Sequence, residues 1–257
     1  MTRHETFLTT EISDKRMVLA TDLDGTFLGG TDDERERFYA WITENRDQVG
    51  LIFVTGRDPG FITQMVRKGL PRPDYVVADV GTTIARFCPD GILEPIEALE
   101  REIAERWSDV GPAVQSALRT ARGLRPQPAS FRYRVSYDLD PTRFDPASLE
   151  PVAELGLDTL VSDNRFVDVL PKGVSKGPSL IRLLDHLGID HARTLVAGDT
   201  LNDLSMLSLG LPAVAVGGSE PDLIDRVADL DHVLRAEGIG VSGIAEAILH
   251  HNLFLNR

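Results

Sequence analysis

Cysteine is nearly absent from this chain. Cys88 is the only one among 257 residues, which excludes an intramolecular disulfide and fits a reducing compartment. It lies in Arg86-Phe87-Cys88-Pro89-Asp90, with no helix start after it and no base beside it, the setting of an inert thiol rather than a nucleophile. Long apolar runs are missing too: none approaches the ~20 residues that a membrane span requires. Residues 1–16 are polar and mixed in charge, without the apolar centre of a secretion signal. Basic residues are scarce, 27 Lys and Arg against 40 Asp and Glu, giving a formal charge of -13. That balance argues against non-specific binding to nucleic acid or to an anionic membrane. It does not exclude a small anionic substrate, because a metal ion and a few placed cations can reverse the potential inside a cleft. The expectation is a soluble, cytoplasmic protein with no nucleic-acid or membrane partner.

What is present reads as a globular α/β protein. Hydrophobic residues make up 42% and charged residues 26%, enough for a full core in one large domain or in a core plus a smaller domain. Residues 17–20, 51–54 and 75–78 are short apolar runs of buried-strand type, each ending in a polar turn. Between the first two, Asp32 or Asp33 is placed to cap a helix through about Asn45 that buries Phe38, Trp41 and Ile42. Between the second and third, Asp58 and Pro59 open a helix that Gly69 closes. The pattern resumes near residue 177, with helices expected over 180–187, 201–209 and 244–249 and strands over 194–197 and 213–216. Repeated βα units of this kind predict a doubly wound parallel sheet of Rossmann-like type. The middle differs, with short strands expected over 131–137, 159–161 and 166–170, a hairpin signal at Asp90-Gly91, and a loop marked by Pro126 and Pro128. It reads as a smaller α+β domain inserted at 84–167 into a core formed by 1–83 and 168–257.

Four polar clusters fall at or near strand ends, where ligands bind in open α/β sheets. In Asp22-Leu23-Asp24-Gly25-Thr26, two carboxylates two residues apart can divide labour, one attacking and the other shuttling a proton. Alone, this string is also a fragment of a calcium loop or a turn carrying two solvated aspartates. The calcium loop needs a third ligand, a distant Glu and a preceding helix, and here a buried strand precedes it. Thr55-Gly56-Arg57 can present a hydroxyl and backbone N–H groups to a phosphate. Lys176, before a helix expected to start near Pro178, can stabilise both an ionised Asp and phosphoryl oxygens; Lys172 competes for that role. In Gly198-Asp199-Thr200-Leu201-Asn202-Asp203, Asp199 ends a buried strand and, with Asp22, offers hard oxygen ligands suited to Mg²⁺.

In that order and at those strand ends, the four clusters resemble the motifs of the haloacid dehalogenase superfamily, and the insert lies where its C2 caps lie. Pro73-Asp74-Tyr75, Val80-Gly81-Thr82, the run from Arg134 to Pro141 and Val167-Asp168-Val169-Leu170-Pro171 resemble the sucrose-phosphate phosphatase branch. The resemblance implies a Mg²⁺-dependent phosphatase acting on a phosphorylated sugar. Asp22 would be the nucleophile and Asp24 the acid/base, with Thr55, Gly56 and Lys176 on the phosphoryl oxygens. Asp22, the carbonyl of Asp24 and Asp199 would hold the metal, with Asp203 and Asn202 close in support. Arg134 and Asp168 are the candidates for sugar contact. A phosphomutase of the same superfamily and a non-catalytic module that binds phospholigands are the competing readings.

Overall fold

The computed structural model describes residues 10–128 and 131–254; the expectation made for residues 1–16 falls, up to Thr9, outside them. The first strand, β1 (Met17–Thr21), is buried along its whole length. Helix α1 (Asp32–Glu44) follows, capped by Thr31 rather than by Asp32 or Asp33. Thr31 accepts from the Glu34 N–H while the Glu34 carboxylate accepts from the Thr31 N–H, so two orphan donors of the first turn are satisfied reciprocally. Strand β2 (Val49–Val54), helix α2 (Pro59–Arg67) with its Asp58 cap, and strand β3 (Tyr75–Ala78) complete the N-terminal run. A hairpin of β4 (Thr83–Phe87) and β5 (Leu93–Pro95) then turns around Asp90-Gly91.

The middle of the chain holds α3 (Glu97–Trp107), α4 (Gly111–Ala117), β6 (Leu124–Pro126), β7 (Val135–Leu139), α5 (Glu150–Glu154), β8 (Leu157–Ser162) and β9 (Phe166–Pro171). The remainder runs α6 (Lys176–Leu187), β10 (Thr194–Gly198), α7 (Leu204–Leu207), β11 (Ala213–Gly217), α8 (Pro221–Val227), β12 (Val233–Ile239) and α9 (Val241–His250). Among the described residues no helix is long and apolar enough to cross a membrane.

Two sheets result. The larger has the order β12-β11-β10-β1-β2-β3-β4-β5, parallel from β12 to β3 and antiparallel beyond. Its central strands are apolar on both faces because helices cover both. Met17, Leu19, Leu51 and Phe53 pack with Phe38, Ile62 and Ile244 of α1, α2 and α9. Val18, Ala20, Ile52 and Val54 pack on the other side with Ile103, Leu180, Met206 and Leu223 of α3, α6, α7 and α8. Each fully buried side chain of this size contributes about 1.5–3 kcal/mol by leaving water. The smaller sheet, β6-β7-β9-β8, is antiparallel and packs one face on α4 and α5 through Val114, Tyr137, Val152 and Val167.

Several local expectations shift. Pro126 lies within β6 rather than in a loop, tolerated because β6 is an edge strand. The strand expected at residue 131 begins at Val135. Residues 201–203 form a tight turn before α7, and α6 begins at Lys176, two residues before Pro178. Strand β12 carries no apolar run, since its alternate residues face solvent at the sheet edge. The hairpin at Asp90-Gly91 extends the larger sheet, so residue 84 lies inside β4 and residue 167 inside β9.

The chain reverses between β1 and β10, the crevice where the order of a doubly wound sheet favours a ligand site. Closing it requires α6 to approach α7 to backbone distance at Gly177, where an added Cβ would stand 2.0 Å from the Ser205 carbonyl oxygen. Gly177→Ala is therefore expected to lower stability by about 1–3 kcal/mol or more, read as a lower denaturant midpoint at unchanged slope.

Candidate active site

The carboxyl ends of β1, β2 and β10 bring three of the four clusters together, and the start of α6 supplies the fourth. The Asp22 N–H donates to the Ala197 carbonyl at 2.9 Å, which carries the β1–β10 pairing to the last residue before the turn. The turn over residues 23–27 depends on Gly25, whose φ is 78° and whose Cβ, if present, would lie 2.1 Å from Asp199 Oδ2. Thr26 Oγ1 then donates to Asp199 Oδ1 at 2.7 Å, fixing one carboxylate against the turn that carries another. Thr55, buried at the end of β2, donates its N–H to the Val77 carbonyl and accepts from the Arg57 N–H through Oγ1.

Lys176 lies at the centre of these groups. Its Nζ donates to Asp22 Oδ1 at 2.7 Å, to Asp203 Oδ1 at 2.6 Å and to Asn202 Oδ1 at 2.6 Å, with only 1% of the side chain exposed. Burial opposes the charge on Lys176, but Asp203 and Asp22 outweigh it and raise the ammonium above its ordinary value. Asp203 is fully buried, and its Oδ2 accepts from the Asp199 and Thr200 N–H groups, so it braces the turn after β10 while pairing with the lysine.

Three carboxylates, Asp22, Asp199 and Asp203, each offer an oxygen within 4.8 Å of the others, against one ammonium. Burial, reinforced by Asp203, pushes the Asp199 carboxyl up to about 7. Burial also raises Asp22 well above the usual carboxylate range, with Lys176 opposing and Asp203 and Asp199 reinforcing. Among the described residues no protein donor reaches Oδ2 of Asp22 or Oδ2 of Asp199. A hard dication fits this donor set, since it would supply the positive charge that one lysine leaves lacking.

Asp24 points the other way, half-exposed, into the cleft. Both of its oxygens are taken by Arg57, Nε to Oδ2 at 2.7 Å and Nη2 to Oδ1 at 2.9 Å, and the guanidinium rests on the ring of Phe61. The cleft has a volume of about 570 Å³. Asp22, Asp24, Gly56, Arg57 and Asn202 line one side; Gln127, Phe131, Arg134, Ser162, Arg165, Phe166 and Asp168, from β8, β9 and the segments before β7, line the other. Thr55, Lys176 and Asp203 are buried beneath it, and Asp199 is partly buried there. Lys172 is exposed and takes no part in the cluster. Cys88 is buried in the β4–β5 hairpin, away from the cleft.

Arg134 and Asp168 stand opposite Gly56 but are themselves buried and paired at 3.1 Å, with Ser136 donating to the same carboxylate oxygen. Arg57, Phe131, Arg165 and Phe166 received no role from sequence. Arg57 had a readable signal in its place beside Thr55-Gly56, whereas Phe131, Arg165 and Phe166 lie in segments without a motif. Removing the central cation should be costly: Lys176→Met leaves buried carboxylates facing one another, and a loss of about 3–5 kcal/mol is expected. Thermal unfolding at neutral pH measures it, and a shift within error of the wild type would contradict the central place given to Lys176.

Several proteins resemble this chain in sequence. Glucosylglycerol-phosphate synthase from Pseudomonas anguilliseptica is 39% identical over 236 residues, covering 91% of this chain but 30% of that protein. Sucrose-phosphatase 1 from Nicotiana tabacum is 28% identical over 259 residues, covering 93% of this chain and 60% of that one. The chain thus spans less than two thirds of either relative. The solved structure of the sucrose-phosphatase from Synechocystis, in complex with sucrose and phosphate, superposes with a TM-score of 0.83 at 26% identity, over 93% of this chain and 98% of that one. The resemblance drawn from the four motifs is borne out, down to its branch of the haloacid dehalogenase superfamily. The family model for sucrose-6F-phosphate phosphohydrolase matches residues 15–252, and this chain belongs to that family.

Proposed function

We propose that this protein is a Mg²⁺-dependent phosphatase that hydrolyses a phosphorylated glycoside through a phosphoaspartyl intermediate on Asp22. The observation that carries this reading is the Asp22 carboxylate lining the cleft, with Lys176 bonded to it, Asp199 and Asp203 within reach, and Thr55 at the end of the neighbouring strand. Asp22 attacks phosphorus while the ester oxygen leaves, so one hard displacement becomes two easier ones. Thr55 Oγ1 and the N–H groups of its turn orient the phosphoryl oxygens, and Lys176 offsets their charge. Asp24 protonates the departing sugar oxygen and then takes a proton from the water that attacks the intermediate. To do so it must exchange its two bonds from Arg57 for the substrate.

Asp22 and Asp199 would hold the metal, with the Asp24 carbonyl completing the set and Asp203 in support. Mg²⁺ there supplies screening between an anionic nucleophile and an anionic substrate. The segment centred on the smaller sheet acts as a cap, and its side of the cleft selects the leaving group. Sucrose phosphate and glucosylglycerol phosphate, named in the relatives, share one chemistry: a glycoside bearing a phosphomonoester. The single thiol fits a cytoplasmic setting.

Asp22→Asn is expected to lower phosphate release by about 10³-fold or more while the circular dichroism spectrum and melting transition persist; substantial residual turnover would remove Asp22 as the nucleophile. Chelation of Mg²⁺ is expected to abolish release and its return to restore it. A panel containing sucrose 6-phosphate, glucosylglycerol phosphate, mannosylfructose phosphate and monosaccharide phosphates identifies the leaving group. Dependence on a bisphosphate activator, with little free phosphate formed, would instead mark a phosphomutase.

A further inference from the structure

The turn after β3 is unlike the others at this edge of the sheet. Asp79, Val80 and Gly81 all lie at positive φ, 53°, 60° and 103°. For a β-branched residue such as Val80 that conformation persists only where the surroundings impose it. Here they do. The Asp79 N–H donates to the Arg57 carbonyl at 3.0 Å and the Val80 N–H to the Thr55 carbonyl at 3.1 Å, so the turn is laced to the Thr55-Gly56-Arg57 turn. Ser179 Oγ donates to the Gly81 carbonyl at 2.7 Å, which ties the same turn to the helix that carries Lys176. Thr83 Oγ1 donates to Asp79 Oδ2 at 2.8 Å and fixes the direction of the carboxylate.

That carboxylate faces Arg134. The guanidinium reaches Asp168 through Nη1 at 3.1 Å, and through Nη2 stands 3.5 Å from Asp79 Oδ1 and 3.4 Å from the Gly56 carbonyl. Its plane lies over the Phe131 ring, 3.7 Å from the centroid. Arg134 therefore spans both sheets, with one partner on β9 and two on the turns after β2 and β3. Nearby, Arg132 holds Glu100 of α3 with both terminal nitrogens and also donates to Thr83 Oγ1. The Asp79 carboxylate is buried and is not among the groups that line the cleft.

We propose that Asp79, Arg134 and Asp168 form a latch that couples the seating of the cap to the geometry of the phosphate-binding turn. Asp79 and Arg134 are then positioning residues for the phosphoryl-transfer step, and Arg134 acts through Gly56 and Asp79 rather than as a sugar ligand. The latch presumes the sugar-phosphatase reading above. When the cap is seated, the guanidinium fixes the Gly56 carbonyl, and with it the turn that carries the Thr55 hydroxyl. When it is not, the strained turn loses one of the contacts that impose its shape.

The test compares phosphate release from the best sugar phosphate with turnover of p-nitrophenyl phosphate, which has no sugar for a cap to enclose. Asp79→Asn should lower kcat on the sugar phosphate about tenfold with KM little changed and lower p-nitrophenyl phosphate turnover much less, because that substrate does not seat the cap; an unchanged circular dichroism spectrum reports that the variant is folded. Arg134→Gln should lower sugar-phosphate turnover similarly, and the double variant should be no worse than the poorer single one, as expected for residues acting as one unit. Arg134→Lys should fail to rescue, because a single ammonium nitrogen cannot take the places of Nη1 on Asp168 and of Nη2 on Gly56 and Asp79 at once. Wild-type kinetics in Asp79→Asn, or multiplicative losses in the double variant, would overturn the latch.

Hydrogen exchange gives a second reading that does not depend on catalysis. In Arg134→Gln the Asp79 and Val80 amides should exchange about tenfold faster, and unchanged protection would overturn the latch even if Asp79→Asn does not fold. A wild-type protein that hydrolyses p-nitrophenyl phosphate but no sugar phosphate would refute the sugar reading alone, and exchange would then decide the latch.

Discussion

Everything at this site is arranged around one buried ammonium. Lysine at the first position of a helix has the wrong sign for the local macrodipole, so no local preference puts Lys176 there. Three oxygens do: Asp22 from the end of β1, and Asn202 and Asp203 from the turn after β10. The ammonium is worth its desolvation only because these partners are fixed, and they tolerate one another's charge only because the ammonium lies between them. Gly177 follows from the same demand, since α6 must meet α7 at backbone distance for Lys176 to reach the crevice.

The parallel sheet makes that arrangement possible. Adjacent strands end at one level, so residues distant in sequence (Asp22, Thr55, Asp79 and Asp199) become neighbours without any of them being near in the chain. Helices on both faces bury the central strands β1, β2 and β10 completely, which leaves their ends as the place where polar side chains concentrate. Two aspartates separated by one leucine thereby acquire different surroundings. Asp22 is buried against Lys176, whereas Asp24 faces the cleft and Arg57, the separation of environments that the proposed division of labour between the two carboxyls would use.

The smaller sheet has a different logic. Its helix-covered face is apolar and forms a core of its own, while Ser136, Asp168 and Phe166 lie on the other face, which looks toward the cleft. Arg134 joins that face to the larger sheet, and the strained turn at Asp79 receives it. Polar groups in such numbers between two sheets are costly unless satisfied. The network running from Ser136 through Asp168 and Arg134 to Asp79 and Thr83 satisfies most of them.

The sequence by itself determined the sheet class, the strands that form its centre and the four clusters that build the site, because buried parallel strands are short apolar runs and each ends in a turn whose residue types declare its chemistry. The change in pattern after β3 precedes the strands that form the second sheet. The sequence did not reveal β12, whose edge position leaves no apolar run, nor that the Asp90-Gly91 hairpin belongs to the larger sheet, because pairing partners are a property of the whole fold. Only the tertiary structure decided that Lys176 donates to Asp22, Asn202 and Asp203 together, that Arg57 holds Asp24, and that Arg134 is spent on Asp168 and Asp79. Those assignments rest on distances between residues tens to hundreds of positions apart, set by how helices pack on the sheet, and no local propensity encodes them.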